Sequence, residues 1–253
     1  MLKKRIVPVM LLNGSRLVKS VSFAQFRDVG DPVKSAAVYD SQLADELVVL
    51  DVTRDGRGWQ QRPDLLRAIS EACFMPVSIG GGVSDVETAS LLIANGADKV
   101  VLNSVAYRDR AVLTSVAEKY GSQAVIVGMD VRRDPEGRPG LYSDCGRRRE
   151  TVSLEDHVAR CETAGAGEIF VQSIDRDGTM AGMDIELLTQ VSALTSLPVI
   201  ACGGAGTYEH LREVFVGVDV AAIACGSLFN FSDSNPIRAK AFLSNYGLPF
   251  KVV

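Results

Sequence analysis

The chain has 253 residues, 47% of them hydrophobic and 23% charged, with a formal net charge of −4. This composition can fill a sizeable core, and its mild acidity gives no electrostatic basis for binding nucleic acid or an anionic membrane surface. No apolar run reaches the length of a membrane span, and the start MLKKRIVPVMLLNG carries no cleavage-site pattern, so a cytoplasmic protein is expected.

Eight short runs rich in Val, Ile and Leu alternate with segments of helical periodicity. In chain order the expected strands are RIVPVML (5–11), ELVVLDV (46–52), PVSIGG (76–81), KVVLN (99–103), AVIVGMD (124–130), EIFVQSI (168–174), PVIACGG (198–204) and VAAIACG (220–226). Segment 84–97, SDVETASLLIANGA, reads as a helix with Ser84 and Glu87 at capping-box spacing. Two connections are long. Residues 13–32 form either a lid carrying Lys19 or a solvated hairpin, and residues 132–150 read as a small hairpin whose three consecutive arginines face solvent. Eight strand–helix units of this size predict a (β/α)8 barrel, one domain over 1–253. A doubly wound sheet would carry a glycine fingerprint after its first strand, and none follows residues 5–11.

The chain also repeats itself. ELVVLDVTRDG and EIFVQSIDRDG begin 122 residues apart, and MPVSIGGG and LPVIACGG keep the same separation. Two half-barrels of four units each are the economical reading.

In such barrels the active site gathers at the C-terminal ends of the strands. Gly80, Gly81 and Gly82 end the third strand, and Asn103 and Ser104 the fourth. In the other half, Gly203, Gly204 and Gly206 end the seventh, and Gly226 and Ser227 the eighth. Glycine lets backbone N–H groups approach an anion closely. The same residues also make tight turns, but two symmetry-related clusters favour a ligand with a phosphate at each end. Asp51, Asp130 and Asp177 lie at or just beyond strand ends, and Asp130 is a candidate general acid or base. Matching the halves places Leu11, which moves no proton, opposite Asp130. At the other end, Arg5, Glu46, Lys99 and Glu168 begin four different strands, with charges of alternating sign that could close a ring. The cysteines (Cys73, Cys145, Cys161, Cys202, Cys225) lack metal-ligand spacing, so reduced thiols are expected, with no metal and no cofactor.

SIGGGVSDVETASLLIANGADKVVLNS, GSQAVIVGMDV, GAGEIFVQSIDRDGTMAGMD and PVIACGGAG resemble the cyclase subunit of imidazole glycerol phosphate synthase, in register over nearly the whole chain. The resemblance implies a barrel that binds a glutaminase at its N-terminal face. Ammonia would cross to the C-terminal face and react with a ribulosyl aminoimidazole carboxamide nucleotide, giving imidazole glycerol phosphate and aminoimidazole carboxamide ribotide. It makes Asp130 one of two catalytic aspartates and Lys19 the lid lysine. Asp51, Gly82, Asn103, Asp177, Gly178, Gly203, Gly204 and the Gly226–Ser227 loop become substrate-pocket positions. Arg5, Glu46, Lys99 and Glu168 become the ammonia gate, and Asp98 a glutaminase contact. Two positions depart from the family: Leu11 replaces the other aspartate, and Gln172 replaces a small hydroxyl residue. PVMLLNG resembles a paralogous branch linked to surface-polysaccharide synthesis, in which the ammonia goes to a separate enzyme that amidates a nucleotide sugar. Three functions remain open on the sequence: that conduit, the histidine-pathway cyclase, and a non-catalytic scaffold that activates the glutaminase.

Overall fold

A computed structural model describes residues 3–53 and 58–251. The Arg-Asp-Gly part of the repeat at 54–56 lies outside the described residues. Eight parallel strands run β1 (Arg5–Asn13), β2 (Leu47–Asp51), β3 (Val77–Gly80), β4 (Lys99–Leu102), β5 (Val125–Arg133), β6 (Glu168–Ser173), β7 (Val199–Cys202) and β8 (Ala222–Cys225). Each pairs with the next, and β8 pairs back onto β1 with Ala222 beside Arg5, so the sheet closes into the expected (β/α)8 barrel.

Closure buries both faces of every strand, which is why the strands read as continuous apolar runs. Side chains alternate between two cores. Val7, Val9, Val48, Val101, Ile126, Phe170 and Ile200 fill the barrel interior. Ile6, Leu12, Leu47, Val49, Ile79 and Leu102 point outward to meet Leu66, Leu92 and Leu113 of the surrounding helices. The half-barrel repeat has a packing counterpart. Gly81 (φ +90°) lies so close to Asp51 O that a Cβ would overlap it. Gly203 (φ +103°), 122 residues on, stands in the same relation to Ser173 O.

Both long connections are antiparallel hairpins at the C-terminal end. Strands Arg16–Val21 and Ala24–Gly30 extend β1, with Val18 opposite Leu11. Pro139–Ser143 folds back on β5, with Tyr142 opposite Asp130, and this ladder carries β5 on to Arg133, past the expected end at 130. Arg147, Arg148 and Arg149 are exposed, as expected.

The helix expected over 84–97 spans Val86–Ala94, and the capping box is corrected: Asp85, in extended conformation, is the N-cap. Its carboxylate accepts the Thr88 N–H at 2.7 Å, and the Ser84 hydroxyl donates to that same carboxylate. A charged acceptor outcompetes the hydroxyl for the helix's unpaired N–H groups. Among the described residues no helix is long and apolar enough to cross a membrane. All five cysteines are free thiols.

Candidate functional site

At the N-terminal end of the barrel the four alternating charges close into a ring. Arg5 bonds Glu46 at 2.7 Å and pairs with Glu168; Lys99 bonds Glu46 at 3.0 Å and Glu168 at 2.5 Å. Each charge therefore has two partners of opposite sign. Glu46 is 2% and Glu168 8% exposed, so their pairing offsets a heavy desolvation cost. The wholly buried Ser78 hydroxyl donates to the remaining Glu46 oxygen at 2.5 Å. Burial works to raise the Glu168 carboxyl, but the hydrogen bond and charge of Arg5, with Lys99, outweigh it and hold it below its ordinary value. Asp98 lies exposed beside Lys99, one carboxylate oxygen accepting the Val77 N–H at 2.8 Å.

The C-terminal mouth is a cavity walled by apolar residues including Leu11, Leu50, Phe170 and the first hairpin's Phe23 and Phe26. Asp130 projects into it from β5. Burial pushes its carboxyl up to about 7, and the negative charge of Asp177 adds to the rise against a hydrogen bond from Asn103. A carboxyl group at that value can take and return a proton near neutral pH. Leu11, on the diametrically opposed β1, also lines the cavity and offers no proton. Asn103 keeps a buried side-chain oxygen with no partner, an acceptor left for a ligand.

The residue 13–32 hairpin is half of each expectation: its first strand is buried over 17–20, and its second is exposed over 24–28. Its Lys19 is buried, donates to Val9 O at 2.5 Å and packs against Gly226, a spot where a Cβ would strike the ammonium. Burial lowers that ammonium to about 8 despite the attraction of Asp177. Asp177 fastens the hairpin. Its carboxylate accepts from the Ser20 hydroxyl at 3.0 Å, the Phe23 N–H at 3.4 Å and the Gln172 amide at 3.1 Å, and its carbonyl accepts the Ser22 N–H. Burial still leaves the Asp177 carboxyl above its ordinary value. The carbonyl of Ser20 lies against Gly178, which has no room for a side chain.

Of the residues singled out from the sequence, Lys19, Asp51, Asn103, Asp130, Asp177, Gly178, Gly203, Gly204, Gly226 and Ser227 all line this cavity with Leu11. Asp51 is also held from behind by Arg62 and by the Thr53 N–H at 2.9 Å. Gly82 and Ser104 stand outside the lining; the Ser104 hydroxyl accepts the Asp144 N–H at 3.1 Å, tying β4 to the second hairpin. Burial keeps the thiols of Cys202 and Cys225 protonated, the latter pushed up to about 12. Sequence reasoning passed over Ser20 and Arg62, which hold Asp177 and Asp51. Among the described residues no cluster of His, Cys, Asp and Glu could hold a metal ion.

The fold and site define a class, a (β/α)8 barrel with a closed charged floor and, at the opposite mouth, a carboxyl raised to about 7. The family model described as histidine biosynthesis protein matches residues 5–234. Imidazole glycerol phosphate synthase subunit HisF of Staphylococcus carnosus is 38% identical over 249 residues, 98% of each chain. The subunit of the same name from Alkaliphilus metalliredigens is 38% identical over 243 residues, 96% of each. The chain belongs to this histidine biosynthesis family and is HisF-like.

Proposed function

We propose that this chain is a HisF-type synthase subunit that receives ammonia from a glutaminase docked on its floor and passes it through the barrel to the mouth, with ring-closing cyclase chemistry crippled by Leu11. The observation that carries the reading is the pairing of an intact charged floor with a mouth that has one proton-transfer carboxyl. Lys99 and Arg5 are the movable parts of the floor. The apolar interior above them would admit neutral ammonia and exclude ammonium, whose charge has no partner there. Asp98 would contact the glutaminase. The acceptor would be a separate enzyme that amidates a nucleotide sugar for surface polysaccharide such as O-antigen, at work in the cytoplasm.

Reconstitution with a glutaminase and the acceptor enzyme tests this. Glutamine-dependent amidation is expected to fall in Lys99→Ala and Glu168→Ala, and saturating ammonium to make the barrel dispensable. Failure of any glutaminase to bind, or full glutamine-dependent amidation by both variants, would sink the conduit. A pure activating scaffold would raise glutamine hydrolysis without directing the ammonia.

A second reading is the histidine-pathway cyclase, using Asp130 without its customary partner. The names of its relatives favour it, as does a mouth that keeps Lys19, Asn103 and Asp177 around a carboxyl near 7.

A further inference from the structure

We infer that Lys19 is an imine-forming amine, which condenses with the carbonyl carbon of a hydroxylated aldehyde or ketone held in the mouth. Among the described residues two lysines are buried, and they are held differently. Lys240, 4% exposed, donates to Leu43 O at 2.6 Å and pairs with Asp45 at 3.0 Å. Lys19, 6% exposed, donates to Val9 O at 2.5 Å, and among the described residues no carboxylate stands within ion-pair distance of it. A buried ammonium without a counter-charge is costly, and the amine escapes that cost by releasing its proton. The lone pair it keeps is a nucleophile.

The surroundings favour the neutral amine. Lys19 crosses the end of β8 at Gly226, where the missing Cβ leaves room for Nζ. The titratable groups facing it are Asp177 and the thiols of Cys202 and Cys225. Both thiols stay protonated, and the Asp177 carboxylate is occupied by donors from Ser20, Phe23 and Gln172. Leu11, two residues beyond Val9 on β1, brings no carboxylate to this side of the mouth. Burial accordingly lowers the ammonium to about 8, so a usable fraction is neutral near pH 7.

The same cavity supplies the rest of the step. Its apolar wall of Leu50 and Phe170 shields an imine from hydrolysis. The unpartnered Asn103 oxygen would accept a hydroxyl of the ligand, which is why a hydroxylated carbonyl compound is the class that fits. Asp130, whose carboxyl is pushed up to about 7, carries the protons. The Lys19 lone pair attacks the carbonyl carbon, an N–C bond forms, and the carbonyl π pair goes to oxygen, which takes the Asp130 proton. Nitrogen then gives a proton to the Asp130 carboxylate, which passes it to the departing hydroxyl, and a protonated C=N forms as one water leaves. Nothing is oxidised or reduced.

Reductive trapping of the whole chain with dihydroxyacetone and sodium cyanoborohydride, followed by peptide mass mapping, tests the inference. At pH 7 an amine at about 8 is neutral roughly a hundredfold more often than an ordinary lysine, and burial slows entry, so Lys19 should be labelled about tenfold faster than the exposed Lys34. That ratio should fall as pH climbs from about 7 to about 10, because the Lys19 amine is already neutral above 8 while an ordinary lysine is still losing its proton. Unfolding in guanidinium should abolish the preference, and the paired Lys240 should stay unlabelled in the folded chain. Asp130→Asn, shown to be folded by thermal melting, should slow labelling of Lys19 several-fold and leave Lys34 unaffected. The inference is overturned if Lys19 in the folded, unmodified chain is labelled no faster than Lys34, if the ratio does not fall with pH, or if the preference survives unfolding. Unchanged labelling in Asp130→Asn overturns the proton route. No glutaminase takes part, so failure here leaves the conduit standing, and failure of the conduit leaves this result standing.

Discussion

The two ends of the barrel spend their charges differently. At the floor, two cations and two carboxylates satisfy one another in a closed ring, and burial is tolerated because every charge has partners on both sides. At the mouth, Asp130 faces Leu11, Asp177 is committed to the first hairpin, and Lys19 is folded over the strand ends. Matched charges build structure, and an unmatched buried carboxyl keeps a proton exchangeable near neutral pH. Side-chain pairing separates a floor whose charges satisfy one another from a mouth whose carboxyl keeps an exchangeable proton.

The largest structural effect should come from unbalancing the floor. Arg5→Ala leaves Glu46 and Glu168 facing each other with only Lys99 between them. Denaturant unfolding should show a loss of about 3 kcal/mol, the low end of the cost of breaking a buried pair because Arg5 is partly exposed. Loss below about 1 kcal/mol would mean that the ring is solvated and would break the contrast.

The ends should also respond to pH in opposite senses. Folding holds the Glu168 carboxyl down, so the stability it contributes is present above its unfolded pKa and is lost as acid protonates it. Folding raises Asp130 to about 7, so the native state holds a proton that the unfolded chain has released. Stability should therefore fall as pH climbs from about 4 to about 7 and then level off. Asp130→Asn should remove much of that slope, gaining about 2 kcal/mol on the unmodified protein between pH 5 and 8 once partial exposure is allowed for. Parallel unfolding curves at the two pH values would contradict this. Asp177, raised in the same sense, leaves a residual slope.

A smaller change sharpens the picture of the first hairpin. Gln172→Ser removes the amide bonded to Asp177 and should cost about 1 kcal/mol or less. Amide exchange at Ser22 and Phe23 should quicken several-fold, whereas exchange on the far side of the barrel should not change.

Much of this was legible before any coordinates. Strands buried on both faces must be apolar throughout, so Val and Ile runs marked the barrel strands. The floor ring could be foreseen because Arg5, Glu46, Lys99 and Glu168 begin strands that a closed barrel must bring together. Contacts made by folding back were hidden. Nothing local to Lys19 says that its hairpin turns inward and buries it against Gly226, nor that Asp177 reaches Ser20 and Phe23. Gly82 and Ser104 share a motif with cavity residues but stand outside the lining, because one residue of offset at a strand end changes the direction faced.

The most direct test lies at residue 11. Turnover of the ribulosyl aminoimidazole carboxamide nucleotide would be measured in saturating ammonium for the unmodified chain and for Leu11→Asp. A positioned proton-transfer group typically contributes about 10² to 10⁴ in rate, so the variant should turn over and the unmodified chain should be slower by that factor or silent. Ordinary cyclase turnover by the unmodified chain would contradict the account and make Asp130 sufficient for the ring closure.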